Sequence, residues 1–127
     1  MTQIDHIALY VRDLEGAKAF FTTYFDAAAG KKYENPNTGF SSYFLTFDCG
    51  SRLELMHFAE LSSLPAEHTV GYAHAAFSVG SRETVDALTE RLAADGYPTL
   101  SGPRITGDGY YESCVRGFEG ILLEITV

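Results

Sequence analysis

Apolar and polar residues alternate along Ile4-Asp5-His6-Ile7-Ala8-Leu9-Tyr10-Val11, which predicts a strand with Ile7, Leu9 and Val11 on one face and His6, Ala8 and Tyr10 on the other. The period then changes. From Asp13, a good N-cap, Leu14, Ala17, Phe20, Phe21, Tyr24 and Phe25 recur at helical spacing, so an amphipathic helix lays its stripe on the apolar side of the first strand. Gly30 is expected to close that helix. Asn35-Pro36-Asn37-Thr38-Gly39 is turn chemistry, and strands are expected over residues 40–48 and 52–58, joined by Cys49-Gly50-Ser51.

Beyond a polar connector at 59–70 the pattern starts again. Ala73-His74-Ala75-Ala76-Phe77-Ser78-Val79 repeats the first strand, and Ser81 caps a helix marked by Val85, Leu88 and Leu92 that ends at Gly96. Residues 97–100, 110–116 and 121–127 supply the trailing strands. Each half is a strand, a helix and about three strands, βαβββ, with repeats at 1–58 and 71–127 of one domain. The fold class is α+β, with two such repeats forming a U-shaped mixed sheet around a concave site and helices outside.

The repeat pairs His6 with His74 and Glu54 with Glu124. Glu54 follows His6 by 48 residues and Glu124 follows His74 by 50. Each Glu is flanked by apolar residues, Leu53 and Leu55 or Leu123 and Ile125, that belong on the helix-covered face. Alternation therefore turns both carboxylates, and both imidazoles, onto the opposite face.

Composition narrows the class. The chain has 127 residues, 46% of them hydrophobic, enough for one compact body and too few for two ordinary domains. A net charge of −8 repels phosphate backbones and anionic lipid, so neither nucleic acid nor a membrane surface is an expected partner. The opening residues lack a secretion signal and no apolar run approaches a membrane span, so the cytoplasm is the expected location. Cys49 and Cys114, outside any CxxC, are expected as reduced thiols.

A single strand histidine is more often a hydrogen-bonded rim residue than a ligand, and a single strand glutamate is usually solvated. Two carboxylates crowded on one concave face are different, because they repel unless protonated or neutralised. A divalent cation neutralises them. Two imidazoles and two carboxylates make a nitrogen and oxygen set suited to zinc or nickel first, and to cobalt, manganese or ferrous iron. Four protein ligands leave an octahedral ion two open positions for a small substrate with two neighbouring oxygens, while a nearby carboxylate moves the proton.

The βαβββ repeat, with Asp5 to Val11, Gly71 to Val79 and the terminal Leu123-Glu124-Ile125, resembles the vicinal oxygen chelate superfamily over nearly the whole chain. This group holds the glyoxalases, bleomycin-resistance proteins and extradiol dioxygenases. The resemblance implies one metal ligand on each of four strands, falling here at His6, Glu54, His74 and Glu124. That set is closest to glyoxalase I, a lyase or isomerase making lactoylglutathione, and implies Glu124 as base with Glu54 as second candidate. It also implies a homodimer, often with His6 and Glu54 from one chain completing a site with His74 and Glu124 of the other.

Glu54 separates this reading from its alternatives. Extradiol dioxygenases and fosfomycin-type thiol transferases resemble the chain at His6, His74 and Glu124 but use three ligands, and acyl-CoA epimerases commonly carry Gln at the fourth position. A bleomycin-resistance-type binding protein without turnover usually lacks the set. The chain also departs from glyoxalase I: the family's Arg and Asn that grip the tripeptide match Tyr10 and Phe58, which argues against glutathione as the thiol. Arg12, Arg52 or Arg116 are the remaining cations for that task. Tyr10, Arg52, Met56, Phe58 and Tyr72 share the expected faces of the glutamates and histidines and are the candidate pocket lining. His57, facing the other way, and His68, in the connector, are expected bystanders.

Overall fold

A computed structural model describes residues 3–61 and 70–127. The chain divides between residues 63 and 64 into two compact units. In the first, β1 (Ile7–Tyr10) leads through α1 (Leu14–Tyr24) to β2 (Ala28–Ala29), β3 (Tyr33–Asn35), β4 (Phe40–Thr46) and β5 (Arg52–His57). In the second, β6 (Ala75–Ser78) leads through α2 (Arg82–Ala94) to β7 (Thr99–Ile105), β8 (Tyr111–Arg116) and, after a short 3-10 turn, β9 (Leu122–Thr126). The α+β class holds, and the order of strand, helix and strands repeats, with four strands after the helix in the first half and three in the second, on one mixed sheet in each half.

The sheets are built alike. In the first, β1 pairs in parallel with β5, which pairs antiparallel with β4, and the short β2 and β3 both lie on the far edge of β4. In the second the order is β6-β9-β8-β7, with the parallel pair again at β6 and β9. A parallel pair needs a crossover, and the helix provides it. Each helix starts on a side-chain cap: Asp13 accepts from the Gly16 amide at 2.9 Å and Ser81 from the Thr84 amide at 3.1 Å.

Each helix covers one face of its own sheet. Leu14, Ala17, Phe20 and Phe21 of α1 are buried together with Leu45, Leu53 and Leu55, and Val85, Leu88 and Leu92 of α2 with Val115, Leu123 and Ile125. These are the apolar alternates on either side of Glu54 and Glu124, so the flanking leucines and isoleucine fix which way the carboxylates face.

Most strands are one to three residues shorter than expected at an end, and two boundaries differ more. Gly30 does not close α1, whose last residue is Tyr24. The turn is made instead by Asp26 at φ 53°, a left-handed conformation that a short polar side chain tolerates. Gly30 extends the β2 edge, its amide donating to the Phe44 carbonyl at 2.9 Å. The strand expected at 97–100 runs from Thr99 to Ile105, its register against β8 broken twice, which obscures the alternation that marks a strand. Gly96, at φ 97°, does end α2 as expected.

Candidate metal-ligating pairs and their surroundings

His6 lies one residue before β1 and Glu54 at the third position of β5, directly across from Ala8. His6 Nε2 stands 3.6 Å from Glu54 Oε1. His74 likewise precedes β6 by one residue, Glu124 pairs with Ala76, and His74 Nε2 stands 3.1 Å from Glu124 Oε2. In each half the alanine beside the glutamate leaves room for the imidazole to lean over it. Glu54 and Glu124 keep 15% and 26% of their side-chain surface, so both are reachable by a small ligand.

The chemistry of these donors suits a divalent ion. Two ligands each about 2.1 Å from a shared ion stand roughly 3.0 Å apart at a right angle and about 3.4 Å apart at a tetrahedral one. The observed separations of 3.6 and 3.1 Å lie within a few tenths of an ångström of that range. Among the described residues no group of three or more His, Cys, Asp or Glu side chains forms a cluster suited to a metal, so the two-member pair is the unit each half offers.

The pairs differ in what supports them. Asp5 accepts from His6 Nδ1 at 2.8 Å and also from Arg52, and these contacts, the histidine first, hold the Asp5 carboxyl below its usual range. With Nδ1 donating to Asp5, the neutral ring carries its lone pair on Nε2, the nitrogen that faces Glu54. The second histidine is preceded by Ala73 and has no such neighbour in sequence. Glu124 is instead met by Glu112 of β8, whose carboxyl is pushed up by partial burial first and then by its hydrogen bond with Glu124. Cys114, directly opposite Glu124 in register, is raised by burial and then by the Glu124 charge. Neither Asp5 nor Glu112 figures among the expected site residues. The adjacency of Asp5 to His6, and the alternation of Glu112 with Cys114 on β8, are the sequence signals for them.

The expected lining residues separate. Tyr10 and Phe58 face each other, ring centroids 6.1 Å apart, and Met56 sits beside Tyr10 in register. Arg52 lies over the Phe44 ring at 4.8 Å and pairs with Asp5, so its charge is already engaged. Tyr72 precedes β6 and is 89% exposed. His57 donates from Nδ1 to the Val11 carbonyl at 2.9 Å, the structural part expected of it. His68 lies outside the described residues. Both cysteines are free.

Residues 3–125 match the model of the glyoxalase, bleomycin-resistance protein and dioxygenase superfamily. The chain belongs to that superfamily. Within it, a Bacillus subtilis (strain 168) relative called uncharacterized protein YqjT is 34% identical over 111 residues, covering 84% of each chain. Solved structures of the superfamily are similar throughout. A glyoxylase, bleomycin-resistance and dioxygenase domain from Frankia superposes with a TM-score of 0.83 at 24% identity, over 99% of this chain and 91% of that one. The fosfomycin resistance protein FosX of Listeria monocytogenes gives 0.75 at 25% identity, over 100% and 92%. The trypanothione-dependent glyoxalase I of Leishmania major gives 0.78 at 20%, over 99% and 86%. Among the described residues no helix is long and apolar enough to cross a membrane.

Proposed function

We propose that this protein is a metal-dependent lyase or isomerase of the glyoxalase type, acting in the cytoplasm on a small substrate with two neighbouring oxygens. The observation that carries the reading is the repetition of one His–Glu pair, at equivalent register positions beside Ala8 and Ala76, in both halves. His6, Glu54, His74 and Glu124 supply the ligands, as two pairs from one chain or from the two chains of a homodimer. Zinc or nickel is the first choice of ion, ahead of cobalt, manganese and iron. When bound, such an ion acts as a Lewis acid and takes up negative charge developing on a substrate oxygen.

The chain's own residues do the rest. A carboxylate oxygen of Glu124, or of Glu54 as second candidate, accepts the proton from the substrate's hydroxyl-bearing carbon and returns it to the neighbouring carbonyl carbon, while the hydroxyl proton passes to the former carbonyl oxygen, so one C–H and one O–H bond break as one of each forms. Asp5 keeps the His6 lone pair directed at Nε2. Tyr10 and Phe58 offer no charged grip for a tripeptide carboxylate, so the reading includes a thiol other than glutathione, or none.

The test is metal analysis after reconstitution with zinc, nickel and iron, joined to turnover of methylglyoxal hemithioacetals of several small thiols. The expected results are stoichiometric retention of a divalent ion and loss of the ion or of most turnover in Glu54→Gln. A protein that retains none of the ions is a binding protein and the reading fails. Oxygen-dependent cleavage of a catechol that requires ferrous iron and survives Glu54→Gln, with no hemithioacetal turnover, points to ring cleavage instead. A monomer by size exclusion that still holds metal tightly removes the shared-site homodimer.

A further inference from the structure

We infer that the first half carries, on the face of its sheet that holds His6 and Glu54, a lane for the apolar body of the substrate, formed by Tyr10, Met56, Phe40 and Phe58. The inference rests on the proposed function for the placement of the substrate's oxygen end and goes beyond it in naming the other end as aromatic or similarly apolar.

The register lays the face out in rows. Glu54 lies between Ala8 and Phe44, and the next row along the strands is Tyr10, Met56, Ser42 and Tyr33. One step further, Phe40 and Phe58 bring their ring centroids to 5.1 Å, and Phe58 in turn meets Tyr10 at 6.1 Å. Two residues of strand advance about 6.7 Å, so apolar surface begins roughly 7 Å from the Glu54 row and continues for about another 7 Å, the length of one or two rings. His6, Arg52 and Glu54 gather at one end of the face, and Tyr10, Met56, Phe40 and Phe58 at the other. A ligand with oxygens at one end and an apolar body at the other complements such a gradient.

The fold does not require these aromatics. They lie on the face away from α1, and Tyr10 and Tyr33 remain 58% and 54% exposed. The second half, built on the same register, puts hydroxyl side chains where Tyr10 and Met56 stand. Ser78 stands for Tyr10, Thr126 for Met56, Glu112 for Ser42 and Cys114 for Phe44. An exposed tyrosine and a half-buried methionine where a duplicate of the same sheet has two hydroxyls are explained by a ligand that covers them.

Benzohydroxamate and acetohydroxamate test this, because both present two adjacent oxygens and only the first carries a ring. Their dissociation constants are measured by NMR titration, with and without zinc, for the wild type and for Tyr10→Ser/Met56→Thr, which installs the second half's residues. Tyr10→Ser alone serves if the double variant does not fold. The expected result is an aryl preference of at least about tenfold in the wild type, falling to near unity in the variant. Equal affinities, no binding of either probe, or a preference that survives the variant overturns the lane. Loss of a dimer in the variant, with no probe bound by the wild type, assigns the face to an interface between copies and also overturns it. An aryl preference that the variant abolishes but that zinc does not strengthen keeps the lane and sinks the metal-dependent reading.

Discussion

Asp5 holds His6 by its Nδ1 at 2.8 Å, so the ring presents Nε2, its other nitrogen, to Glu54. A histidine ligand oriented by a carboxylate is more basic and less free to rotate, and removing such a partner typically weakens metal binding by about 10- to 100-fold. Asp5→Ala is therefore expected to lower zinc affinity by about that factor with the far-ultraviolet circular dichroism unchanged. An unaltered zinc titration would mean that the edge-on contact of His6 with Phe44, centroids 5.0 Å apart, orients the ring without help.

Behind the second pair, a buried hydroxyl chain joins α2 to its sheet. Thr89 donates to the Val85 carbonyl at 2.6 Å and its Oγ1 lies 2.7 Å from Ser113 Oγ, both residues being buried. With the Thr89 proton used on Val85, Ser113 is the donor between them. The two deletions are then unequal. Ser113→Ala removes one donated bond and is expected to cost about 1 kcal/mol, whereas Thr89→Val strands the Ser113 hydroxyl and is expected to cost about 1–3 kcal/mol. Urea denaturation of the two variants gives the order, and a larger loss for Ser113→Ala would reverse the donor assignment.

In each half a tyrosine of the sheet donates to an acid on the helix: Tyr43 to Glu15 and Tyr111 to Asp86. These bonds, ahead of desolvation, raise both phenols above their ordinary range. A raised pKa in the folded state means stabilisation that is fully present below the unfolded phenol value of about 10 and is lost as pH rises through the higher folded value. Tyr43 and Tyr111 are expected to ionise late in an ultraviolet titration. Glu15→Gln is expected to return Tyr43, and Asp86→Asn to return Tyr111, towards the main group. A titration in which all eight tyrosines ionise together would remove the inference.

The sequence reveals the parts of this fold that rest on strong periodicity. Leu53 and Leu55 around Glu54, and Leu123 and Ile125 around Glu124, leave one choice of face for each carboxylate, because a slip of one residue would drive a charge under the helix. Asp13 and Ser81 mark the helix starts for the same kind of local reason. What escapes is set by contacts across the sheet. β2 and β3, of two and three residues, are too short to show alternation and exist as strands only because β4 lies beside them. The alternation on β8 gives the face of Glu112, but its meeting with Glu124 depends on the pairing of β8 with β9. The Tyr10–Phe58 contact joins the end of β1 to the residue after β5, 48 positions away in the chain.

The broken register of β7 supplies the last prediction. Between the Ser101–Cys114 and Arg104–Glu112 pairings the two strands fall out of step, and Gly102 sits in that gap at φ 78°. A Cβ added there would lie 2.5 Å from the Glu112 carbonyl oxygen and 3.1 Å from the Ser113 Cα, both backbone atoms that cannot rotate away. Gly102→Ala thus meets a steric clash and an unfavourable backbone conformation together, each worth on the order of 1 kcal/mol or more. The expected loss is about 2–4 kcal/mol in denaturant unfolding, against under about 1 kcal/mol for Gly107→Ala, where a Cβ meets nothing within 4 Å. Because the obstructing carbonyl belongs to Glu112, the strain is carried to the residue hydrogen-bonded to Glu124. A folded Gly102→Ala protein is therefore expected to bind zinc more weakly as well as to unfold earlier. Equal stabilities for the two alanine variants would mean that β7 and β8 can separate here at little cost.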